Sequence, residues 1–208
     1  MRPFRREQGT LVPLDRSDVD TDQIIPKQFL KRIERTGYGD YLFHDWRTDA
    51  DGTVREDFVL NQEPYQGGTV LVAGRNFACG SSREHAVWAL NDYGFRAVIA
   101  PSFADIFRNN ALKSGLLPVV LPEDEVRQLL DLATEDPGVA ASVDLETQSV
   151  SAGDLRFGFT MDAFERTTLL EGLDDIALTL QHADAIAAYE QQRPSWMPDA
   201  SRETVPPS

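Results

Sequence analysis

Residues 69–90 read TVLVAGRNFACGSSREHAVWAL, and this stretch decides the fold class. The apolar run Thr69–Ala73 lies between glycines and predicts a buried strand, whereas residues 83–93 have the apolar spacing of a helix that ends near Gly94. A strand, a glycine-containing loop and a helix in direct succession indicate a parallel β/α unit. Because such sheets bind ligands at the carboxyl ends of their strands, the loop at 74–82 is the first place to look for a site.

The rest of the chain continues this alternation. The predicted elements are an extended segment at 10–14, a helix at 102–113 begun by Ser102, strands at 96–100 and 116–121, a helix at 123–133, a hairpin of 142–147 with 154–159 around Gly153, and helices at 162–170 and 173–190 divided by Gly172. This pattern predicts a single α/β domain over residues 1–192. The remaining residues, 193–208, are rich in proline and predict a poorly ordered tail.

The net charge of −14 narrows the class of partner. Nucleic acids and anionic membrane surfaces would repel such a chain, so neither is expected as a partner. An anionic substrate would need a local cationic site, for which Arg83 and Arg75 are the main candidates and Lys27, Lys31 and Arg32 are lesser ones. No apolar stretch is long enough to span a bilayer or to form a signal peptide, and the single cysteine is typical of a reducing compartment, so we expect a cytoplasmic protein.

The segment Gly80–His85 brings chemically useful groups into one loop. Two serine hydroxyls, one guanidinium and the N–H groups at a helix start can converge on a carboxylate. An ordinary serine cap of the helix is the alternative. Asn76, Cys79 and His85 add polar or reactive groups that a cap does not need.

Three stretches of the sequence carry a family resemblance. G-x-N-F-x-C-G-S-S-R-E-H-A at 74–86 and D-x-D-T-D-x-I-I-P at 18–26 resemble the small, or swivel, domain of the aconitase superfamily. LLEGLDDI at 169–176 resembles the C-terminal block of the 3-isopropylmalate dehydratase small subunits. The resemblance implies an aconitase-type swivelling β/β/α domain with C-terminal helices.

The resemblance also implies an activity. Enzymes of this branch are hydro-lyases that interconvert 2-isopropylmalate and 3-isopropylmalate through 2-isopropylmaleate in leucine biosynthesis, a branched-chain amino-acid pathway. The alternative is the small subunit of a homoaconitase or of a methylmalate (citraconate) hydratase, and a non-catalytic binding module is a further one. A serine hydrolase is disfavoured because the chain has no G-x-S-x-G element.

The family uses a [4Fe-4S] cluster held by cysteine thiolates, and one cysteine cannot hold such a cluster. We therefore expect the cluster in a large-subunit partner that forms a heterodimer with this chain, and no metal bound by this chain. Cys79 is interpreted as a small packing residue, and His44 as a structural hydrogen-bonding group.

The resemblance assigns roles to individual residues, carried over position by position. Ser81 is expected to be the catalytic base that takes the proton as an alkoxide, while Ser82 and Arg83 bind a carboxylate of the hydroxy-diacid substrate. Supporting roles are expected for Asn76, Glu84, His85, Thr21 and Asp22. Asp22 is further expected to hold a cation, with a turn rich in Asx hydrogen bonds as the alternative interpretation of this acidic segment.

Substrate specificity is assigned to the segment 30–40, because relatives use a loop at this position to reach the variable side chain of the substrate. The residues concerned are Leu30, Lys31, Arg32, Ile33, Thr36, Gly37 and Tyr38. An ordinary surface loop is the alternative.

Overall fold

The computed structural model describes residues 1–31, 36–81, 83–194 and 196. In this part of the chain one sheet has the strand order β4-β3-β2-β1-β5-β6-β7. The strands are β1 (Arg6–Leu14), β2 (Val70–Ala73), β3 (Ala97–Ala100), β4 (Leu117–Val120), β5 (Ala140–Asp144), β6 (Ser149–Ala152) and β7 (Leu155–Gly158). Pairs from β1 to β4 are parallel, and pairs from β1 through β5 to β7 are antiparallel. The central strand β1 therefore belongs to both halves.

The described part of the chain also forms α-helices. They are α1 (Thr21–Ile24), α2 (His44–Arg47), α3 (Glu84–Tyr93), α4 (Asp105–Ser114), α5 (Glu123–Glu135), α6 (Ala163–Glu171), α7 (Asp175–Leu180) and α8 (Ala183–Gln191). The chain divides into two compact units, Met1–Asp174 and a second unit that starts at Asp175. Most of the predicted tail at 193–208 lies outside the described residues. No helix among the described residues is long and apolar enough to cross a membrane.

The inner parallel strands β2 and β3 are buried on both faces of the sheet. Every residue of β2 and β3 is buried, as expected of strands covered by helices on two sides. Leu71 and Val98 point into the apolar cluster that contains α3, whereas Val70 and Ile99 point into the cluster that contains α5. Each such aliphatic side chain contributes about 1.5–3 kcal/mol when fully buried. This core fixes the carboxyl ends of the strands, where the loops of interest begin.

The predicted hairpin of 142–147 with 154–159 is wrong, because three strands, β5 to β7, occupy this region. The strand that the prediction missed is Ser149–Ala152, in which buried Val150 and Ala152 alternate with partly exposed serines. This period of two is typical of a strand with one buried face. Gly153 does form a turn, with φ of 51°, but between β6 and β7.

Two helix boundaries also differ from the prediction. The helix predicted over 173–190 is divided into α7 and α8, and His182 is the N-cap of α8. Helix α4 begins at Asp105 and not at Ser102. The hydroxyl of Ser102 accepts a hydrogen bond from the backbone N–H of Asn76 at 2.8 Å, so it holds the neighbouring loop instead of capping a helix.

Candidate active site

Two loops meet where the adjacent parallel strands β1 and β2 end. We call residues 15–22 the acidic loop and residues 74–83 the serine loop. Backbone hydrogen bonds join them: Asp18 N–H donates to Arg75 O at 2.9 Å, Cys79 N–H to Val19 O at 3.0 Å and Thr21 N–H to Cys79 O at 2.9 Å. Segments more than 50 residues apart in sequence are thus held side by side, as the shared sheet edge predicts.

The backbone of these loops adopts left-handed conformations at non-glycine residues. Asp18, Asn76 and Ala78 have φ values of 55°, 55° and 60°. Left-handed backbone costs about 1–2 kcal/mol for most L-residues and is better tolerated by Asn and Asp. The Asn76 side-chain amide donates to Asp18 Oδ1 at 2.8 Å, which holds two of these residues together. Backbone strain of this kind is concentrated at functional sites.

A capping box at the start of α1 organises the acidic loop. Asp20 Oδ1 accepts from the backbone N–H of Asp22 at 2.6 Å, and the backbone N–H of Asp20 donates to Gln23 Oε1 at 2.8 Å. Gly80 lies against the same Asp20 carboxylate, because a Cβ atom at Gly80 would stand 2.1 Å from Asp20 Oδ2. The serine loop therefore requires a glycine at this close approach, where φ is 89°.

Asp22 lies between two cations. Its Oδ1 atom accepts a hydrogen bond from Arg83 Nη1, and its Oδ2 atom is 3.2 Å from Lys27 Nζ. Burial would by itself raise the pKa of Asp22, but the hydrogen bonds from Arg83 and Lys27 outweigh it and the pKa is lowered. The carboxylate is therefore ionised at neutral pH, and it orients the guanidinium of Arg83.

Ser81 lies beside the same guanidinium. Arg83 Nη2 donates to Ser81 Oγ at 3.3 Å, and the hydroxyl of Thr21 donates to the carbonyl oxygen of Ser81 at 3.0 Å. Helix α3 begins at Glu84 with Arg83 as its N-cap, and no side-chain hydrogen bond caps it. Ser81 thus does not cap the helix; its exposed hydroxyl contacts a cation just before the helix N-terminus, while Ser82 lies outside the described residues.

His85 and Glu84, both predicted as supporting residues, lie in different surroundings. Glu84 is exposed in the first turn of α3. The ring of His85 packs against Trp88 at a centroid distance of 4.7 Å and against Tyr38 at 5.3 Å. Burial lowers the pKa of His85, so the neutral ring predominates at neutral pH. His85 therefore acts as part of an aromatic cluster that holds the start of α3.

The segment assigned to specificity is partly exposed and partly buried. Lys31, Thr36 and Gly37 are exposed, and Leu30 is half-buried against the core. Tyr38 is fully buried, and its backbone N–H donates to Asp92 Oδ2 at 2.9 Å. Tyr38 thus anchors the end of the segment on α3 instead of extending from it. The remaining two residues assigned to specificity, Arg32 and Ile33, lie outside the described residues.

Sequence reasoning did not assign Asp18, Asp20 or Ser102 to the site, although all three hold the serine loop. The sequence pattern identifies Asp18 and Asp20 only as members of an acidic turn. Ser102 follows β3, whose carboxyl end lies next to that of β2. The order of the parallel strands was therefore the signal that could have placed Ser102 in the site.

The chain is similar to known proteins over nearly its whole length. The family model of the aconitase C-terminal domain matches residues 1–124. Proteins named 3-isopropylmalate dehydratase small subunit from Koribacter versatilis and Acidothermus cellulolyticus are each 57% identical to this chain, covering 92% and 95% of it and 98% of their own lengths. The chain belongs to this small-subunit family. The relative from Rubrobacter xylanophilus, of the same name, is 54% identical over 95% of this chain and 98% of its own.

Two further matches concern the fold and the C-terminal helices. A crystal structure of 3-isopropylmalate dehydratase from Methanocaldococcus jannaschii aligns with a TM-score of 0.64 and 29% identity, covering 89% of this chain and 99% of that one. The family model for the C-terminal domain of the 3-isopropylmalate dehydratase small subunit matches residues 175–198. The expected aconitase-type α/β fold with C-terminal helices is confirmed.

The residues present do not fit an iron–sulfur cluster. Burial raises the pKa of the Cys79 thiol, and the nearby carboxylates of Asp20 and Asp18 raise it further. The Cys79 thiol donates to Asp18 O at 3.4 Å. A cluster ligand must be a thiolate, which this setting disfavours. No group of three or more His, Cys, Asp or Glu side chains that could hold a metal occurs in the part of the chain that the structure describes.

Proposed function

We propose that this chain is the small subunit of a cytoplasmic hydro-lyase that interconverts 2-isopropylmalate and 3-isopropylmalate through 2-isopropylmaleate in leucine biosynthesis. The proposal includes a large subunit that carries the [4Fe-4S] cluster and forms a heterodimer with this chain. One observation carries it: Ser81 Oγ lies 3.3 Å from a guanidinium nitrogen of Arg83, just before a helix, in a chain that is 57% identical to named small subunits of this enzyme.

The difficult step is the removal of a proton from a carbon beside a carboxylate. Such a C–H group is a very weak acid, so the site must stabilise the negative charge that develops in the carboxylate. A serine hydroxyl is a poor base unless its anionic form is stabilised. Arg83 donates to Ser81 Oγ, and the N-terminus of α3 follows three residues later, so both favour the alkoxide of Ser81.

Arg83 is suited to the second task, the binding of a substrate carboxylate. Nη1 of the Arg83 guanidinium donates to Asp22 Oδ1, and this contact helps to orient the plane of the guanidinium. A planar fork binds carboxylates with a geometry that a lysine ammonium cannot reproduce. The role of Ser82 as a donor to the same carboxylate rests on the resemblance alone.

The charge balance of the two loops supports the need for a partner. The two loops together with Lys27 carry four cations, Arg16, Arg75, Arg83 and Lys27, and four carboxylates, Asp15, Asp18, Asp20 and Asp22. This near-neutral arrangement gives little net attraction for a dianionic substrate. In our proposal the partner supplies the remaining positive charge, and its cluster supplies the Lewis acid that polarises the leaving hydroxyl.

Reconstitution tests the proposal. The purified chain is mixed anaerobically with a cluster-loaded large subunit of the family, and 2-isopropylmaleate formation is followed by ultraviolet absorbance, with each chain alone as a control. We expect activity only in the mixture. Turnover of homocitrate or methylmalate in place of isopropylmalate would keep the family and overturn the substrate, and no turnover of any of them would overturn the proposed function.

A further inference from the structure

The two oxygens of Asp22 hold different cations. Oδ1 accepts from Arg83 Nη1, and Oδ2 is 3.2 Å from Lys27 Nζ. The two cations therefore lie on either side of one carboxylate, close enough to contact a single small molecule together. Only Arg83 has a part in the function proposed above, which leaves the second cation without a role.

The two ion pairs differ in their exposure to solvent. The Arg83 side chain is 13% exposed, whereas the Lys27 side chain is 72% exposed. Exposed ion pairs contribute little to stability, because water competes for both charges. Lys27 can thus leave Asp22 at small cost and bind another anion, whereas Arg83 stays with Asp22.

The backbone of Lys27 is held in place although its side chain is exposed. Ile24, Ile25 and Pro26, which precede it, are all buried, and Lys27 is the first residue of a 3-10 turn that extends to Lys31. A flexible ammonium on a fixed backbone can reach a ligand without reorganising the loop. Lys27 also lies three residues before the segment assigned to specificity.

We propose that Lys27 binds one carboxylate of the diacid substrate, exchanging Asp22 for it, while Arg83 binds the other. The inference deepens the proposed function, on which it rests, by adding a second substrate-binding residue from this chain. It also gives Asp22 a second task, because its carboxylate is the anion with which Lys27 pairs before the substrate arrives.

The first test is the kinetics of Lys27→Met in the reconstituted pair. Methionine keeps most of the side-chain length and removes the charge. We expect the KM for 2-isopropylmalate to rise about tenfold or more, as for the loss of one charge-assisted contact, with a smaller change in kcat. Lys27→Arg should restore most of the affinity. The control is Arg5→Met, which removes an ion pair with Glu146 of similar exposure, 65% and 54%, and should leave KM at the wild-type value.

A second test separates binding from a structural effect. Inhibition constants are measured for 2-isopropylsuccinate and for its two half-amides, each of which lacks one carboxylate. We expect Lys27→Met to raise the inhibition constants of the diacid and of one half-amide about tenfold. The inhibition constant of the other half-amide should stay at its wild-type value. Equal increases in all three inhibition constants, or no change in any of them, would overturn the inference. The proposed function would still stand in that case, because the wild-type pair is active. A wild-type pair with no turnover would overturn both.

Discussion

Thr21 donates its hydroxyl hydrogen to the carbonyl oxygen of Ser81 at 3.0 Å, across 60 residues of sequence. Thr21 is 2% exposed, and among the described residues it is the polar residue that is buried as a whole. Because a buried hydroxyl needs a partner, the bond fixes both the start of α1 and the serine loop. The proposed base, Ser81, and the carboxylate that orients Arg83 are thereby held in one arrangement.

Replacement of Thr21 by valine tests this link. Valine keeps the shape but leaves the Ser81 carbonyl without its donor, so we expect a loss of about 1 kcal/mol in the free energy of unfolding. Activity in the reconstituted pair should fall by more than this loss of stability explains. Urea denaturation and steady-state kinetics measure the two effects. Thr134→Val, which removes a hydroxyl bonded to Leu130 O within α5, should reduce stability alone.

Ser81→Ala should remove catalysis without unfolding the chain. The Ser81 hydroxyl is exposed and does not cap α3, so its loss leaves the packing unchanged. We expect kcat to fall about 10²- to 10⁴-fold, as for the loss of a positioned base. Ser151→Ala on β6 is the matched control and should remain active. A Ser81→Ala variant that fails to assemble with the large subunit would favour a structural role.

Arg83→Lys should nearly abolish turnover. The guanidinium contacts Asp22 through one terminal nitrogen and Ser81 through the other, and a lysine ammonium cannot keep both contacts in this geometry. We expect kcat/KM to fall by at least about 10²-fold. Arg5→Lys, at an exposed arginine that pairs with Glu146, should behave as wild type. Near-wild-type activity of Arg83→Lys would remove Arg83 from the proposed mechanism.

Gly80→Ala should disrupt the serine loop by a steric effect. A Cβ atom at Gly80 would stand 2.1 Å from Asp20 Oδ2, whereas at Gly67, which also has positive φ, no atom lies within 4 Å. Gly67→Ala should therefore show only the backbone cost of about 1–2 kcal/mol. Gly80→Ala should cost more and also reduce kcat. Thermal unfolding and kinetics of the two variants compare the costs, and equal losses would contradict the close contact.

The pKa of His85 predicts a pH dependence of stability. Burial lowers this pKa below the usual value of 6.5, so the unfolded chain binds more protons than the folded chain once the pH falls below about 6.5. The free energy of unfolding should then decrease as the pH falls from 7.5 towards the folded pKa. His85→Gln should have a flatter profile over this range in urea denaturation, and an unchanged slope would show that His85 does not contribute.

The sequence predicted β2, β3 and β4 well, because these strands are continuous apolar runs, but it predicted only residues 10–14 of β1, which begins at Arg6. It failed at Ser149–Ala152, where a strand of only four residues has two serines on its outer face and a weak apolar signal. Small residues pack at such positions only because neighbouring strands cover them, and the sequence does not show the neighbours.

Residues of the candidate site could be predicted only where a local sequence pattern indicated their position. The sequence placed Ser81 just before a helix that begins at about Arg83, and in the structure Arg83 is the N-cap of α3, which begins at Glu84. The contact of Ser102 with Asn76 and that of Lys27 with Asp22 depend on which chain segments meet at the end of the sheet. Contacts of this kind follow from tertiary structure and not from local propensity.

The two roles of β1 have a practical consequence for labelling. Its residues 11–14 pair with β2 and lead into the acidic loop, whereas its residues 6–10 pair with β5. The turn at 145–148 lies beside Arg6, at the far end of β1 from the acidic loop, and the turn at 153–154 lies level with Gly9, five residues of β1 before that loop begins. We expect a fluorophore or an affinity peptide inserted at 153–154 to report on assembly without altering turnover.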